Sequence, residues 1–373
     1  MQVEKRIHKV TSVPDEYRLI VVSDIHAHQN TFNQLISQLK LKDEDYLVIL
    51  GDFLEKGPSN YEMLMEAYKL SNRKNTFVLV GNCEAALLEL LLNDSMAQQL
   101  KNYLCNTTWG SLLREAADKL KLDYTKVDAS QLQLALREHL AEEISMIQSF
   151  LTAVEFDQFI LCHAGIENRQ DWEESSMETF LELPFFLDQG HPLKDRYVIC
   201  GHIPVSNYSD TKIDNSIVIN HRRRMISIDG GMGVKDICQL NALEVLKEDD
   251  GYVYFNHHAD EYERCEVLFP CYPKFDSVVK VAWPDLEIEV LQIGTSFSWC
   301  RKLNTKELVF VKNEFIYEKG RHYYCKDDYI SYMIEVQEGD QVSLIATYGK
   351  YAYVMKDGIV GWIKADRLRK LEQ

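Results

Sequence analysis

The stretch Ser23-Asp24-Ile25-His26-Ala27-His28 follows directly on the apolar run Leu19-Ile20-Val21-Val22. A short apolar run that breaks abruptly into polar residues reads as a buried strand, and open α/β sheets present their ligands at the carboxyl ends of such strands. Asp24 and His26 leave this strand as a carboxylate and an imidazole, a pair suited to a divalent cation. Four later stretches have the same form. Leu47-Val48-Ile49-Leu50 ends in Gly51-Asp52, Phe77-Val78-Leu79-Val80 in Gly81-Asn82, Phe159-Ile160-Leu161-Cys162 in His163, and Tyr197-Val198-Ile199-Cys200 in Gly201-His202. The pattern predicts that these five strand ends converge on one two-metal site.

The bulk numbers bound the partners more than the chemistry. A chain of 373 residues with 46% hydrophobic residues has the length of two domains and the apolar content of a sizeable core. The net charge of −17 argues against a grip on duplex nucleic acid or an anionic membrane surface. An anionic substrate is still compatible with that charge if bound metal ions supply positive charge locally. The amino-terminal residues lack a signal-peptide core, and no run of about 18 apolar residues suggests a membrane span. The nine cysteines are scattered without close C-x-x-C pairs, which fits reduced thiols and a cytoplasmic location. Cys265 and Cys271 are six apart and are read as core residues rather than a bridge.

Taken in order, residues 1–17 read as a lead-in. Behind the first motif, Phe32, Leu35, Ile36 and Leu39 fall at helical spacing, with Asn30 or Thr31 as the cap. Ser59 and Glu62 fit a capping box for a second helix, and Ala85 to Leu92 reads as a third. Strand and helix thus alternate three times, the rhythm of βαβ units and a mostly parallel sheet. Residues 93–156 carry only helical periodicity and read as an insertion, either a wall of the site or a layer over one sheet face. Asn241 to Leu246 and Tyr252 to Phe255 are expected to close a second, antiparallel-leaning sheet. The fold expected for residues 1–270 is a four-layer α/β/β/α sandwich, followed at 271–373 by a small all-β domain. The prolines of Phe269-Pro270-Cys271-Tyr272-Pro273 mark the junction, and Lys356-Asp357-Gly358 between apolar runs predicts a hairpin. The closing stretch, with Gly361-Trp362-Ile363 and Ala365-Asp366-Arg367-Leu368, resembles the end of a bacterial SH3-like barrel. That resemblance implies a possible protein or peptide partner.

A phosphate ester resists hydrolysis because its anionic oxygens repel a nucleophile. Two divalent cations about 3.5 to 4 Å apart answer this by generating hydroxide near neutral pH and clamping the transition-state oxygens. Asp24, His26, Asp52, Asn82, His163 and His202 supply the necessary ligand inventory. The ordered set D-x-H, G-D-x-x-x-x-G-P, G-N-x-E, H-A-G and G-H resembles the calcineurin-like metallophosphoesterase superfamily. Gly57-Pro58 and His163-Ala164-Gly165-Ile166 are most similar to its phosphoprotein phosphatase branch, which includes serine/threonine phosphatases and symmetrical diadenosine tetraphosphate hydrolases. The resemblance spans residues 19–235. It implies that Asp24 and His26 bind the first metal, that Asp52 bridges, and that Asn82, His163 and His202 complete the second. Manganese is the first expectation for both ions, with iron, zinc or nickel as alternatives.

The departures from the family pattern concern the proton donor. The family's G-N-H-E histidine, which resembles a general acid, is Cys83 here; its orienting aspartate is Glu55, and the phosphate-binding arginine is Lys56. Lysine keeps the charge but loses the bidentate fork. A cysteine beside two cations is expected to shift toward thiolate, which cannot donate a proton. General-acid help is commonly worth about 10²–10⁴-fold, so the expectation is a preference for good leaving groups, or a substitute acid in His28 or Glu55. Asp229-Gly230-Gly231 is a candidate for the rim of the site, and His221-Arg222-Arg223-Arg224 reads as a solvated basic turn. The predicted activity is two-metal hydrolysis of a phosphomonoester, phosphoprotein or small molecule, or of a nucleotide. The alternative is a weakly active regulatory protein that binds metal or nucleotide and recruits partners through the SH3-like stretch.

Overall fold

The computed structural model describes residues 2–272 and 278–371. The chain divides into two compact units. The first comprises Met1–Ile203, Ile217–Val234 and Leu240–Ala259; the second comprises Pro204–Ser216, Lys235–Gln239 and Asp260–Gln373.

The first unit carries strands β1 (Ile7–Val10), β2 (Tyr17–Val22), β3 (Tyr46–Ile49), β4 (Thr76–Val78), β5 (Ala153–Phe156), β6 (Phe159–Cys162), β7 (Tyr197–Cys200), β8 (Val218–Asn220), β9 (Met225–Ser227), β10 (Leu240–Glu248) and β11 (Gly251–Ala259). Its helices are α1 (Gln29–Leu39), α2 (Asn60–Ser71), α3 (Asn82–Leu92), α4 (Ala97–Asn106), α5 (Leu112–Lys119), α6 (Ala129–His139), α7 (Ala141–Ser149), α8 (Met177–Glu182) and α9 (Phe186–Gln189). One sheet has the order β11-β10-β2-β3-β4 and the other β1-β5-β6-β7-β9-β8. Strands β2, β3 and β4 run parallel, as do β6, β7 and β9, so each sheet sends its strand ends the same way.

The apolar core lies between the sheets. Leu19, Val21, Val48 and Leu50 of one sheet share a cluster with Phe156, Phe159, Leu161, Ile199 and Ile226 of the other. Each such side chain contributes about 1.5–3 kcal/mol on full burial. The ring of Phe156 meets Tyr17 and Tyr46 edge-on at 4.9 and 4.6 Å. The other face of β2 is also covered, and Leu19 through Val22 are all fully buried, which is why this strand reads as a continuous apolar run. The architecture is the expected α/β sandwich with mixed sheets.

Several local expectations are corrected. The lead-in contains β1, which pairs in parallel with β5, so residues 153–156 belong to a sheet and the helical segment ends with α7. Strands β10 and β11 extend the sheet of β2, β10 running antiparallel to it, instead of closing the other sheet. Helix α1 starts at Gln29, so neither Asn30 nor Thr31 is its cap. Ser59 caps α2 in position but not with its side chain; the carboxylate of Glu115 from α5 accepts the Asn60 and Tyr61 N–H groups at 2.8 and 3.0 Å. A carboxylate at a helix N-terminus serves both orphan donors and the helix dipole, and the Ser59 N–H that Glu62 would take in a capping box goes to the Ala27 carbonyl at 3.1 Å instead. Helix α3 begins at Asn82, three residues earlier than its apolar periodicity shows, which places Asn82 and Cys83 in its first turn.

Asp157, in the tight turn between β5 and β6, fastens the two sheets to each other. Its carboxylate accepts the Tyr17 and Tyr252 hydroxyls at 2.9 and 2.5 Å and the Lys247 ammonium at 3.2 Å. Burial pushes its pKa up, but the two hydroxyls and the lysine outweigh it and leave it below the ordinary aspartate value. A carboxyl depressed in the folded state stabilises above its unfolded pKa, and the gain is lost as pH falls through the folded value. Asp157→Asn should therefore lower the thermal midpoint at pH 7, and the deficit should shrink as pH falls below the ordinary aspartate value. A deficit that is constant from pH 7 to pH 3 would show that the charge is not what matters.

In the second unit the described residues form strands, short bridges and 3₁₀ turns. A five-stranded sheet takes the order Ile359–Lys364, Tyr351–Lys356, Gln341–Tyr348, Glu263–Val267, Leu368–Lys370. Asp357 and Gly358 both adopt positive φ, 49° and 82°, between the paired residues Lys356 and Ile359, as a two-residue Asp-Gly hairpin requires. Glu263–Val267 pairs on both sides within this sheet, and the long carboxyl-terminal segment of the unit begins at Asp260, about ten residues before the Phe269-Pro270 junction; Pro273 lies outside the described residues. Cys265 and Cys271 are free thiols in one apolar cluster. Among the described residues no helix is long and apolar enough to cross a membrane.

Candidate metal centre

Three of the five predicted strand ends, those of Asp24 and His26, of Asp52 and of His202, leave their sheets through strained turns. Asp24, His26, Asp52, Glu55, Lys56 and His202 all have φ between 47° and 71°, a region that costs a non-glycine residue on the order of 1–3 kcal/mol. Backbone bonds between neighbouring loops hold the strain: the Asp24 N–H donates to Gly51 O at 3.1 Å, and the His26 N–H to Asp52 O at 2.9 Å. Two motif glycines exist for close approach. A Cβ on Gly81 would lie 2.2 Å from Asp52 Oδ1, and one on Gly201 would lie 2.0 Å from Asp24 Oδ2. The G-N and G-H dipeptides thus let two loops press against two carboxylates.

The structure brings together all six predicted ligands. His26 Nε2 lies 3.7 Å from Asp52 Oδ2, and His163 Nε2 lies 3.5 Å from Asp52 Oδ1. Asn82 Oδ1 is 2.9 Å from both His163 Nε2 and His202 Nδ1. The His202 backbone N–H donates to Asp24 Oδ2 at 3.0 Å, and Ser23 Oγ donates to the same oxygen at 2.5 Å. Asp24, Asp52 and His163 offer ligand atoms within 4.8 Å of one another, as do His26, Asp52 and Cys83.

The protonation pattern shows what these atoms can hold. The Nδ1 of His26 faces the Leu54 carbonyl at 3.2 Å, and that of His163 faces the Leu50 carbonyl at 3.1 Å. The His202 ring also hydrogen-bonds the Glu182 backbone. A carbonyl only accepts, so each of those nitrogens carries the hydrogen and the opposite nitrogen presents a lone pair. Three lone pairs, from His163, His202 and Asn82, then converge with no proton among them. Burial first, with neighbouring positive groups, pushes His26 down to about 3 and His202 down to about 4, so neither ring carries its own charge near neutral pH.

The carboxylates say the same. Burial, and then Asp52, push Asp24 up to about 7. Asp229 is fully buried, gives Oδ1 to the Gly231 N–H at 2.7 Å, and has no hydrogen-bond partner on Oδ2 among the described residues. Burial and the charge of Asp24 push it well up. The cluster also holds the Lys56 ammonium, 3.3 Å from His26 Nε2; burial opposes its charge, but Cys83, Asp52, Asp24 and Asp229 together raise its pKa. Crowded acceptors, an orphaned carboxylate oxygen and neutral imidazoles make a donor set that fits divalent cations.

Glu84 was not assigned a role from sequence. It is fully buried and accepts three backbone N–H groups, from Gly81 at 2.7 Å, Asp52 at 2.9 Å and Leu54 at 2.9 Å. The glutamate three residues after a helix cap was its only signal. It ties the start of α3 to the loop that carries Asp52.

The proton-donor candidates are dispersed. Burial, and then Asp52, push the Cys83 thiol well above the ordinary cysteine value; its Sγ donates to Asp52 Oδ2 at 3.1 Å and its N–H to Asp52 Oδ1 at 2.8 Å. In the protein matrix alone the thiol is therefore favoured, and a shift toward thiolate requires bound cations. Glu55 gives its carboxylate to the helical segment, accepting Tyr103 Oη, Ser111 Oγ at 3.2 Å and the Leu112 N–H at 3.0 Å. Among its described hydrogen bonds none reaches Cys83. His28 is half-buried at the cap of α1, its ring against Gly57. Glu55, Lys56, Asn82 and Cys83 open onto a cavity of about 140 Å³ walled by Leu87, Leu90, Tyr103, Trp109 and Leu113. The helical segment is thus a wall of the site. Of the remaining candidates, Arg223 spends its guanidinium on the Leu187 and Asp188 carbonyls.

The family model for calcineurin-like phosphoesterases matches residues 17–271, more than half of the chain, and the chain belongs to that family. The family hydrolyses phosphoesters with a dinuclear divalent metal site. A search of curated proteins finds no match. Similar solved structures include a candidate diadenosine tetraphosphatase, at 15% identity and TM-score 0.43, covering 69% of this chain and 100% of that one. Another is a protein serine/threonine phosphatase from Saccharomyces cerevisiae with similarity to human phosphatase PP5, at 13% identity and TM-score 0.43, covering 69% and 84%. A third is a metallophosphoesterase from Sphaerobacter thermophilus, at 13% identity and TM-score 0.35, covering 65% and 88%.

Proposed function

We propose that the chain is a two-metal phosphoesterase whose substrates have good leaving groups: aryl phosphates, nucleotides or dinucleoside polyphosphates before phosphoserine proteins. The observation that carries this reading is the convergence of Asn82 Oδ1, His163 Nε2 and His202 Nδ1 at 2.9 Å separations, beside a carboxylate that also faces His26. Asp24, His26 and Asp52 would hold the first cation, and Asp52, Asn82, His163 and His202 the second, with manganese the first candidate. When bound, such a pair supplies Lewis acidity and acidifies a water molecule toward neutral pH. Lys56 sits where it can offset phosphate charge at the mouth of the site. Asp24, Asp52 and Glu84 hold the loops in place around it.

The leaving-group preference follows from what surrounds Cys83. Glu55 is committed to Tyr103, Ser111 and Leu112, and so does not orient an acid at position 83. The wall of Leu87, Leu90, Tyr103, Trp109 and Leu113 suits an aryl group or a nucleobase better than a polar peptide. The same missing acid favours the second reading, a metal- or nucleotide-binding regulator with little turnover. Cytoplasmic localisation, and partner recruitment through the SH3-like stretch that ends the chain, belong to this proposal; the paired strands and Asp-Gly hairpin there support the latter. A manganese-supplemented screen over aryl phosphate, mononucleotides, dinucleoside polyphosphates and phosphoserine peptide tests the reading. Aryl phosphate or an anhydride should turn over about 10²-fold or more faster than phosphoserine peptide. Equal rates would refute the leaving-group argument, and no turnover with any divalent cation would favour the regulator.

A further inference from the structure

Position 83 carries a thiol where the family has a proton-donating histidine. The geometry gives its sulfur another use. Cys83 Sγ lies 3.1 Å from Asp52 Oδ2, which in turn lies 3.7 Å from His26 Nε2, and one ligand atom from each of the three falls within 4.8 Å of the others. A tetrahedral ion bound by sulfur, nitrogen and oxygen at the usual bond lengths has ligand–ligand edges of about 3.3 to 3.7 Å. The two edges that share Asp52 Oδ2, at 3.1 and 3.7 Å, stand close to that spacing.

One further observation points to a cation among them. His26 commits Nδ1 to the Leu54 carbonyl, so Nε2 presents a lone pair on the side of Asp52 and already draws the Lys56 ammonium to 3.3 Å as a hydrogen-bonding positive charge. Cys83 also occupies the first turn of α3, an 11-residue helix whose dipole favours a negative sulfur.

Resting on the two-metal reading above, we propose that Cys83 is a thiolate ligand of the first metal, adding sulfur to His26 and Asp52. On loading, the S–H proton leaves to solvent and the sulfur lone pair forms the metal bond, so its hydrogen bond to Asp52 is exchanged for a shared cation. A thiolate shifts metal choice from hard manganese and magnesium toward zinc, cobalt or ferrous iron. It also fills a coordination position of the first ion and leaves the openness of the site to the second.

Cobalt substitution of the full chain tests this without reference to activity. The wild-type protein loaded with Co²⁺ should show both the visible ligand-field bands of bound cobalt and an intense near-ultraviolet thiolate-to-cobalt charge-transfer band. Cys83→Ser should keep the visible bands and lose the charge-transfer band. Its zinc-to-manganese affinity ratio should fall by about tenfold or more, the scale of losing one ligand's contribution to metal affinity. Visible bands without a charge-transfer band in the wild type, or a charge-transfer band that survives in Cys83→Ser, would overturn the assignment while leaving the metal site intact. Failure of the wild type to bind cobalt, zinc or manganese at all would overturn the metal-site reading itself. The wild-type spectrum alone decides the point if Cys83→Ser does not fold.

Discussion

Asp52→Asn should reduce metal-dependent hydrolysis of aryl phosphate by about 10³-fold or more, equivalent to about 4 kcal/mol of transition-state stabilisation. The substitution keeps the shape of the side chain and removes its charge. Asp52 is the one carboxylate that faces both halves of the centre, with Oδ2 toward His26 and Cys83 and Oδ1 toward His163 and the Cys83 N–H. An amide in its place directs an NH₂ at atoms that already need to accept or to bind a cation, so it should lower metal stoichiometry as well as turnover. The change should not unfold the metal-free protein. Burial and the charge of Asp52 push Asp24 up to about 7 and Glu84 up to about 8, so deleting that charge relieves crowding among buried acids, while it gives up the positive neighbours, Lys56 among them, that hold the Asp52 carboxyl below its ordinary value. The two effects oppose, and the expected outcome is an inactive protein whose metal-free thermal midpoint stays close to the wild type. A variant retaining activity within about threefold would remove Asp52 from the bridging role, and one that loses activity together with its fold would leave the charge argument without support.

The part of this centre that was legible in the sequence is the part set by local backbone. A carboxylate or imidazole immediately past an apolar strand has nowhere to point except over the sheet edge, so Asp24, Asp52, His163 and His202 could be read from their neighbours alone. Their glycines carried information for the same reason, since Gly81 and Gly201 stand where a Cβ would strike a carboxylate. What was not legible depends on residues far apart in the chain. The Ser59–Glu62 box looked complete until Glu115, more than fifty positions away, took the helix N-terminus instead. Glu55 looked like the partner of position 83 because the family pairs those positions, but the helical segment offers it Tyr103, Ser111 and the Leu112 N–H. Strand β1 carries too little apolar periodicity to be recognised before its partner β5 is known. Partner choice in sheets and caps is a tertiary decision, and short-range patterns do not encode it.

Glu84→Ala should be the most destabilising single change near the centre. The side chain is fully buried and accepts three N–H groups: Gly81 and Asp52 share Oε2, and Leu54 bonds Oε1. Alanine orphans all three donors inside the protein, at about 1–3 kcal/mol each. Against that stands the relief of a buried negative charge, since burial and then the repulsion of Asp52 push Glu84 up to about 8. The donors outnumber the repulsive neighbour, and their loss also frees the loop that holds Asp52, Glu55 and Lys56 in the left-handed region. A net cost of about 3 kcal/mol follows, which in a domain of this size lowers the thermal midpoint by about 6–12 °C. Glu84→Gln separates the two effects. Its oxygen can keep the Gly81 and Asp52 donors while its NH₂ must face the Leu54 N–H, so it should fall between wild type and Glu84→Ala in stability. Metal affinity should follow the same order, because Glu84 acts by positioning the Asp52 loop. Thermal melts and metal titrations of the three proteins check this ranking. If Glu84→Ala stays within about 1 kcal/mol of wild type, the three-donor clamp does not govern the loop; if Glu84→Gln is the least stable, charge repulsion has been given too little weight.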